Sequence, residues 1–346
     1  MANLYRAWYK VALGKSGKPS ILEFHRDLDR NLAALSRDLE NGTYRPGPYH
    51  SFLVKDPKER IISAAPVRDR VAQHAIMNLY EPVFERHLIH DCYACRIGKG
   101  THSAVLRAFH FAKSSRYFLK MDVRKYFDSI DHAVLKTMLA RIIADPLPLG
   151  LFALIVDSGD VSGLGRRRGV PIGNLTSQYF ANHYLSPFDH HFKERLGAKR
   201  YIRYMDDILI FSDDRDRLKA LYCRAVSYAA ENLRLDLKPQ VLGPVADGAP
   251  FLGFLVRRSG IYLHQKTKRR YRTRIAELER RLEKGILGEL EAGRRAESVT
   301  AHLQLARSRR FRDTVLRGCV LGVEPRDPRR ELEQFGLESA SRESEQ

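Results

Sequence analysis

Apolar positions along this chain switch between a helical and a strand period, and the switches mark out its elements. Over residues 21–40, Leu28, Leu32, Leu35 and Leu39 fall at three-and-four spacing, which predicts an amphipathic helix stopped by Asn41-Gly42. The period then changes. Ser51-Phe-Leu-Val-Lys55 and Arg60-Ile-Ile-Ser63 are short β-prone runs around Asp56-Pro57-Lys58-Glu59, predicting a hairpin with a basic tip. Val67 to Glu85 is helical by pattern, Tyr117 to Val123 reads as a buried strand running into a turn, and 131–143 as a helix capped by Asp131. Prolines and glycines make 145–168 a loop region ending in Arg166-Arg167-Arg168, and a helix follows from about Leu175 to Leu196. Arg200 to Tyr204 and Ile208 to Phe211 are strand halves flanking Met205-Asp206-Asp207, so a hairpin carrying two carboxylates at its turn is expected. Leu218 to Leu233 is helical, and Pro250-Phe-Leu-Gly-Phe254 begins a further strand pair.

After Arg257 the composition shifts. Thr267 to Lys284 places Tyr271, Ile275, Leu278 and Leu282 on one helical face and basic residues elsewhere, a further basic helix fits Ser298 to Leu316, and 324–346 reads as a disordered Glu/Ser-rich tail. Across all 346 residues, 60 Lys+Arg face 41 Asp+Glu, a formal net charge of +19. Such an excess, clustered on helices, points to a polyanionic partner, because neutralising phosphates releases counterions. No apolar run approaches the ~18 residues that span a bilayer. The first ten residues carry isolated basic and aromatic residues rather than an export signal, so a cytoplasmic protein without membrane partners is expected. Cys92 and Cys95 form a single CxxC, and without a second pair they read as core or turn cysteines rather than a zinc site.

The chemistry resides in carboxylates. A two-metal site sets its divalent ions about 3.5–4 Å apart, so acidic side chains must converge from neighbouring strands. Asp122 on a strand and the pair Asp206-Asp207 on a strand-turn-strand can supply the hard oxygen donors that Mg²⁺ takes. Adjacent aspartates between apolar runs repel each other unless a cation sits with them, whereas Asp213-Asp214 reads as an ordinary solvated turn.

These segments carry a resemblance. Tyr204-Met-Asp-Asp207 looks like the catalytic tetrapeptide of reverse transcriptases, and Met121-Asp-Val-Arg-Lys-Tyr-Phe-Asp-Ser-Ile-Asp-His132 like their first palm motif. Arg168-Gly-Val-Pro-Ile-Gly-Asn-Leu-Thr-Ser-Gln178 lies between them in the expected order, Phe251-Leu-Gly-Phe254 follows, and Asp69-Arg70 through Tyr93-Ala-Cys-Arg-Ile-Gly-Lys-Gly100 resembles the fingers of intron-type bacterial enzymes. The match spans roughly residues 45–256.

The resemblance implies an α+β right-hand polymerase fold: N-terminal helix and fingers over 1–116, palm over 117–256 with a fingers-associated segment around 145–180, and a helical thumb over 257–323. It implies an RNA-directed DNA polymerase, a nucleotidyltransferase that binds template RNA, cDNA or primer, and deoxynucleoside triphosphates. Two Mg²⁺ ions, replaceable by Mn²⁺, would be held by Asp122, Asp206, Asp207 and the Val123 backbone. Phe127 would be the gate against the sugar 2′ position, with ordinary core packing as its alternative. Lys55 and Arg60 would grip the triphosphate, Ile172 and Gly173 would line the nucleotide, and Phe251, Leu252 and Gly253 would hold the primer end. Arg269, Arg270, Arg272 and Arg274 would ride on the nucleic acid backbone.

Two departures from the family pattern stand out. Most relatives carry Pro-Gln-Gly where this chain has Pro171-Ile172-Gly173, and the Ile-Gly-Asn-Leu-Thr-Ser-Gln string is similar to the enzymes of diversity-generating retroelements. These copy a template RNA with errors at adenines, and the resemblance brings with it a small basic helical-bundle accessory protein that assembles as a pentamer. Ile172 lacks the amide that would contact the nucleotide sugar, which predicts lowered fidelity; its alternative is plain packing under the fingers. The lysine usual in the following motif is replaced by Val241, with Lys238 nearby, so the proton donor to pyrophosphate is left unassigned. Competing readings are a retron or phage-defence reverse transcriptase and a non-catalytic RNA-binding protein, the latter disfavoured by the three intact carboxylates.

Overall fold

The computed structural model describes residues 1–55, 59–159 and 167–317. By its contacts the chain forms two compact units, one comprising Met1–Ala104 and Leu119–Leu242, the other Val105–Phe118 and the residues from Gly243 onward.

The first unit opens with α1 (Ala2–Ala12), α2 (Pro19–Arg26) and α3 (Leu28–Glu40). α1 was not anticipated, yet Leu4, Ala7, Trp8 and Val11 have the helical spacing that buries one face. The helix expected over 21–40 is broken at Asp27, whose φ of −120° and ψ of 44° lie outside the helical region. Next come strands β1 (His50–Val54) and β2 (Arg60–Ala64), paired antiparallel with Val54 opposite Arg60, as the short β-prone runs predicted. Asp56-Pro57-Lys58 of the expected tip lies outside the described residues. α4 (Val67–Arg86) then packs Val67, Val71, Ala72 and Ala75 against α1 and α3 in a shared core.

α5 (Thr101–Lys113) and β3 (Tyr117–Asp122) each cross the boundary between the units, β3 returning the chain to the first. The short α6 (Tyr126–Ser129) and α7 (His132–Ile142) follow, with the Asp131 carboxylate accepting from the backbone N–H groups of Ala133 and Val134 as the predicted cap. Part of the supposed loop at 145–168 is a helix, α8 (Pro146–Asp157). Its prolines stand in the first turn, where no N–H is required, and Asp145 caps it through the Leu147 N–H. The helix expected from Leu175 to Leu196 is segmented into α9 (Leu175–Tyr184), α10 (Ser186–His190) and one turn of π-helix over His191–Arg195; Pro187, at the start of α10, supplies no N–H to continue α9.

Strands β4 (Tyr201–Tyr204) and β5 (Asp207–Ser212) form the predicted hairpin, and α11 (Arg215–Leu233) covers the segment read as helical. With β6 (Val241–Pro244), which runs into the second unit, they complete a sheet in the order β4-β5-β3-β6. Buried Leu119, Met121, Ile202, Ile208, Leu209 and Ile210 form its apolar body.

The second unit holds a three-stranded antiparallel sheet of β7 (Ala249–Phe251), β8 (Phe254–Arg257) and β9 (Gly260–Leu263). Three helices follow: α12 (Gln265–Glu283), α13 (Glu289–Ala301) and α14 (Arg309–Leu316). The single helix expected over 298–316 is therefore two, separated at 302–308. The tail at 324–346 lies outside the described residues. Among them, no helix is long and apolar enough to cross a membrane.

Candidate active site

The β4-β5 hairpin closes with Tyr204 opposite Asp207, so Met205 and Asp206 are its two turn residues. Met205 adopts φ 52°, a left-handed conformation that costs a non-glycine residue energy and must be held by its surroundings. β5 lies beside β3 in the sheet, which places Asp122, the last residue of β3, near the turn. The three aspartates are close enough for each charge to be felt by the others. Burial and the charge of Asp122 raise the Asp206 carboxyl above its ordinary value, opposed by Lys238 and Arg60. Burial, with smaller contributions from Asp122 and Asp206, raises Asp207 to about 6 against the pull of Lys120.

Two ammonium groups temper this repulsion. Lys238 Nζ donates to Asp122 Oδ1 at 2.6 Å, and Lys120 Nζ donates to Asp207 Oδ2 at 2.8 Å. The other Asp207 oxygen, Oδ1, is buried without a hydrogen-bond partner. An orphaned carboxylate oxygen is costly unless a cation takes it, so these oxygen donors suit a hard divalent ion. Among the described residues no three acidic, histidine or cysteine side chains are already drawn together as a closed ligand set. The lysines engage one oxygen each of Asp122 and Asp207, and Asp207 Oδ1 is left for such an ion. Neither lysine was picked out from the sequence as a carboxylate partner, although a period of two puts Lys120 on the same face of β3 as Asp122.

The other residues singled out are distributed as follows. Val123 is buried and opposes Leu237 in an isolated antiparallel bridge, while the flanking bonds run from Lys238 N–H to Asp122 O and from Arg124 N–H to Asp236 O. Those bonds leave the Val123 carbonyl outside the ladder. Phe127 is half-buried on α6, edge-on to Tyr126 at 5.9 Å, and its carbonyl accepts from Val170 N–H at 3.0 Å. Through that bond and the one from Gly169 N–H to Ile130 O, the Gly169-Val170 backbone is tied to the segment after Asp122. Ile172 is half-buried, and its carbonyl accepts from Ser63 N–H of β2 at 2.9 Å. Gly173 has φ 123°, and a Cβ there would stand 3.1 Å from both Ile62 Cγ2 and Ser63 O, so glycine lets the chain pass this close to β2. Lys55 and Arg60 are exposed at the hairpin, Arg60 acting on Asp206 through its charge.

In the second unit, Phe251 is buried and pairs with Phe254 across a two-residue turn. Both turn residues have positive φ, Leu252 at 49° and Gly253 at 89°, the backbone of a tight type I′ turn. Thr267 Oγ1 and His264 N–H both donate to the Gly253 carbonyl. On α12, Tyr271, Ile275 and Leu278 are buried while Arg269, Arg270, Arg272 and Arg274 are exposed.

Comparison with known proteins identifies the family. The family model of the reverse transcriptase (RNA-dependent DNA polymerase) matches residues 54–256. The chain is 26% identical over 276 residues to the protein YkfC of Escherichia coli K12, covering 67% of this chain and 72% of that protein. It is 25% identical over 171 residues to the group II intron-encoded protein LtrA of Lactococcus lactis subsp. cremoris, a match covering 46% of this chain and only 28% of that protein. The structure of apo telomerase from Candida tropicalis superposes with a TM-score of 0.51 at 11% identity, covering 78% of this chain and 59% of that one, which bears on fold alone. With helices joined to antiparallel sheets in the α+β right-hand polymerase arrangement, the chain belongs to the reverse transcriptase family, the RNA-directed DNA polymerases.

Proposed function

We propose that this chain copies a template RNA into cDNA, with Asp122, Asp206 and Asp207 holding two Mg²⁺ ions, and that it does so as the error-prone polymerase of a diversity-generating retroelement. The observation that carries the polymerase reading is the group of three mutually repelling carboxylates, one with a buried oxygen that has no partner. When bound, two divalent ions would activate the primer 3′ hydroxyl and neutralise the triphosphate. The chain's own residues would do the rest. Arg60 and Lys55 would bring positive charge to the phosphates, Phe127 would stand against the sugar, and the Phe251–Gly253 turn would hold the primer end. Residues 1–116 would serve as fingers, 117–256 as palm and 257–323 as a thumb gripping the template-primer duplex.

Loss of a metal-positioning carboxylate removes several kcal/mol of transition-state stabilisation, so Asp206→Ala is expected to lose most primer-extension activity on a homopolymer RNA with Mg²⁺. A near-normal rate in that variant would defeat the assignment.

The retroelement reading is supported by the Ile172-Gly-Asn-Leu-Thr-Ser-Gln178 string, whose Ile172 has no side-chain donor or acceptor. It carries with it a small basic pentameric accessory protein that helps to select the template. Specific initiation on a cognate template RNA by the purified chain alone would remove that partner.

A further inference from the structure

The Asp206-Asp207 turn is strained, and what holds it lies behind it in the core. Arg203, two residues before Met205, is fully buried, as is its partner Asp189 on α10. Arg203 Nε and Nη2 donate to the Asp189 carboxylate at 2.7 and 2.6 Å, and Tyr201 OH donates to the same carboxylate at 2.5 Å. The remaining arm of the guanidinium points elsewhere. Nη1 donates at 3.1 Å to the carbonyl of Met205, the residue in the left-handed conformation, and at 3.2 Å to Asn182 Oδ1 on α9. Asn182 is itself fixed, because its Nδ2 donates to Ala94 O at 2.7 Å and its Oδ1 accepts from Cys92 Sγ. Nη2 also reaches Asn182 O at 3.1 Å.

Burying a charge pair is an ineffective way to stabilise a core, since apolar residues of similar volume often serve as well or better. Such a pair does fix geometry, because a planar fork with every donor engaged allows one orientation. Here the fork joins three elements, α9, α10 and β4, to one turn carbonyl.

We propose that Arg203, oriented by Asp189 and Asn182, is a positioning residue that holds the Met205 carbonyl and so sets where the Asp206 and Asp207 carboxylates stand when they receive metal. The inference rests on the reading of those two aspartates as metal-holding groups. It predicts a defect in catalysis and metal requirement separable from any loss of stability.

Primer extension on a homopolymer RNA template, with Mg²⁺ and deoxynucleotide titrated separately and Tm measured alongside, tests this in three variants. Arg203→Lys keeps a charge for Asp189 but lacks the fork. The double replacement Arg203→Met with Asp189→Leu exchanges the buried pair for apolar side chains. Asn182→Ala leaves the pair intact and removes the carboxamide that fixes Nη1. In Arg203→Lys and the double variant kcat is expected to fall roughly ten- to a hundred-fold, the cost of an active-site displacement on the order of 1 Å. The Mg²⁺ concentration for half-maximal rate should rise several-fold, while the deoxynucleotide KM stays within about twofold. Asn182→Ala should show the same split more weakly. A double variant with wild-type Tm, kcat and Mg²⁺ dependence would overturn the proposal. Should the double variant not fold, wild-type kcat and Mg²⁺ dependence in Asn182→Ala would overturn it equally. Activity surviving in Asp206→Ala would instead bring down the metal reading, whereas an inactive Asp206→Ala beside normal Arg203 variants brings down only the positioning role.

Discussion

At the scale of single residues, Asp207 stands in surroundings that disfavour its own charge. Burial raises its carboxyl from an ordinary value of 3.8 to about 6, and the Lys120 ammonium compensates only in part. A carboxyl raised in the fold favours the protonated state there. Its contribution to stability is therefore complete below about pH 4 and is lost as pH climbs through about 6. A divalent ion binds the deprotonated group and reverses that loss. The difference in Tm between protein in Mg²⁺ and protein in EDTA is thus expected to widen as pH rises from 5 to 7 and to level off above, and Asp207→Asn should shrink the gap and flatten its slope. Taking the difference removes the titration of groups remote from the metal. A wild-type gap that does not change with pH would mean that Asp207 is no metal ligand.

Among the elements, the approach to α9 joins composition to chemistry most directly. Pro171-Ile172-Gly173 is tied on one side to the Phe127 segment through Val170 and on the other to β2 through the Ile172 carbonyl, so the Ile172 side chain is presented by a backbone fixed at both ends. If position 172 faces the nucleotide sugar, as proposed, a glutamine there would bring a donor and an acceptor to it. One hydrogen bond is worth about 0.5–1.5 kcal/mol net, enough for a few-fold to roughly tenfold difference in discrimination. Ile172→Gln is expected to raise accuracy, most visibly opposite template adenines, at modest cost in rate. Sequencing of cDNA from both versions on an adenine-containing template measures it, and an unchanged error spectrum would place any infidelity elsewhere.

The same elements show what the sequence could and could not convey. The β4-β5 hairpin was legible because Tyr201 to Tyr204 and Ile208 to Phe211 bracket two acids within a dozen residues, and local pattern is what sequence reports well. α8 was not, because Pro146 and Pro148 read as breakers when in a first turn they are compatible with helix. The Arg203-Asp189 fork was invisible for a different reason. Its partners are 14 residues apart on separate elements, and an arginine in a strand looks the same whether it faces solvent or the core.

For the molecule as a whole, the net charge of +19 sets how it meets nucleic acid. Most of that charge is generic, and a generic field steers a polyanion without fixing its position. Arg269, Arg270, Arg272 and Arg274 differ in arrangement. They are exposed on one helix that is anchored by buried Tyr271, Ile275 and Leu278, so they move as a block, and Arg272 lies over the Phe311 ring at 5.0 Å. If this block grips the template-primer backbone, each arginine neutralises a phosphate and releases counterions, at about 0.7–0.9 in the slope of log affinity against log salt per contact. Replacing all four by glutamine keeps an unbranched polar side chain and helix propensity while removing the charge. Binding of a template-primer duplex titrated across salt is then expected to lose roughly 3 in slope, with affinity falling most at low salt and converging on the wild type at high salt. At saturating duplex kcat should change little, since none of these arginines belongs to the carboxylate site. A variant with an unaltered slope would mean that the four charges meet no phosphate and that the basic surface used for binding lies on another face.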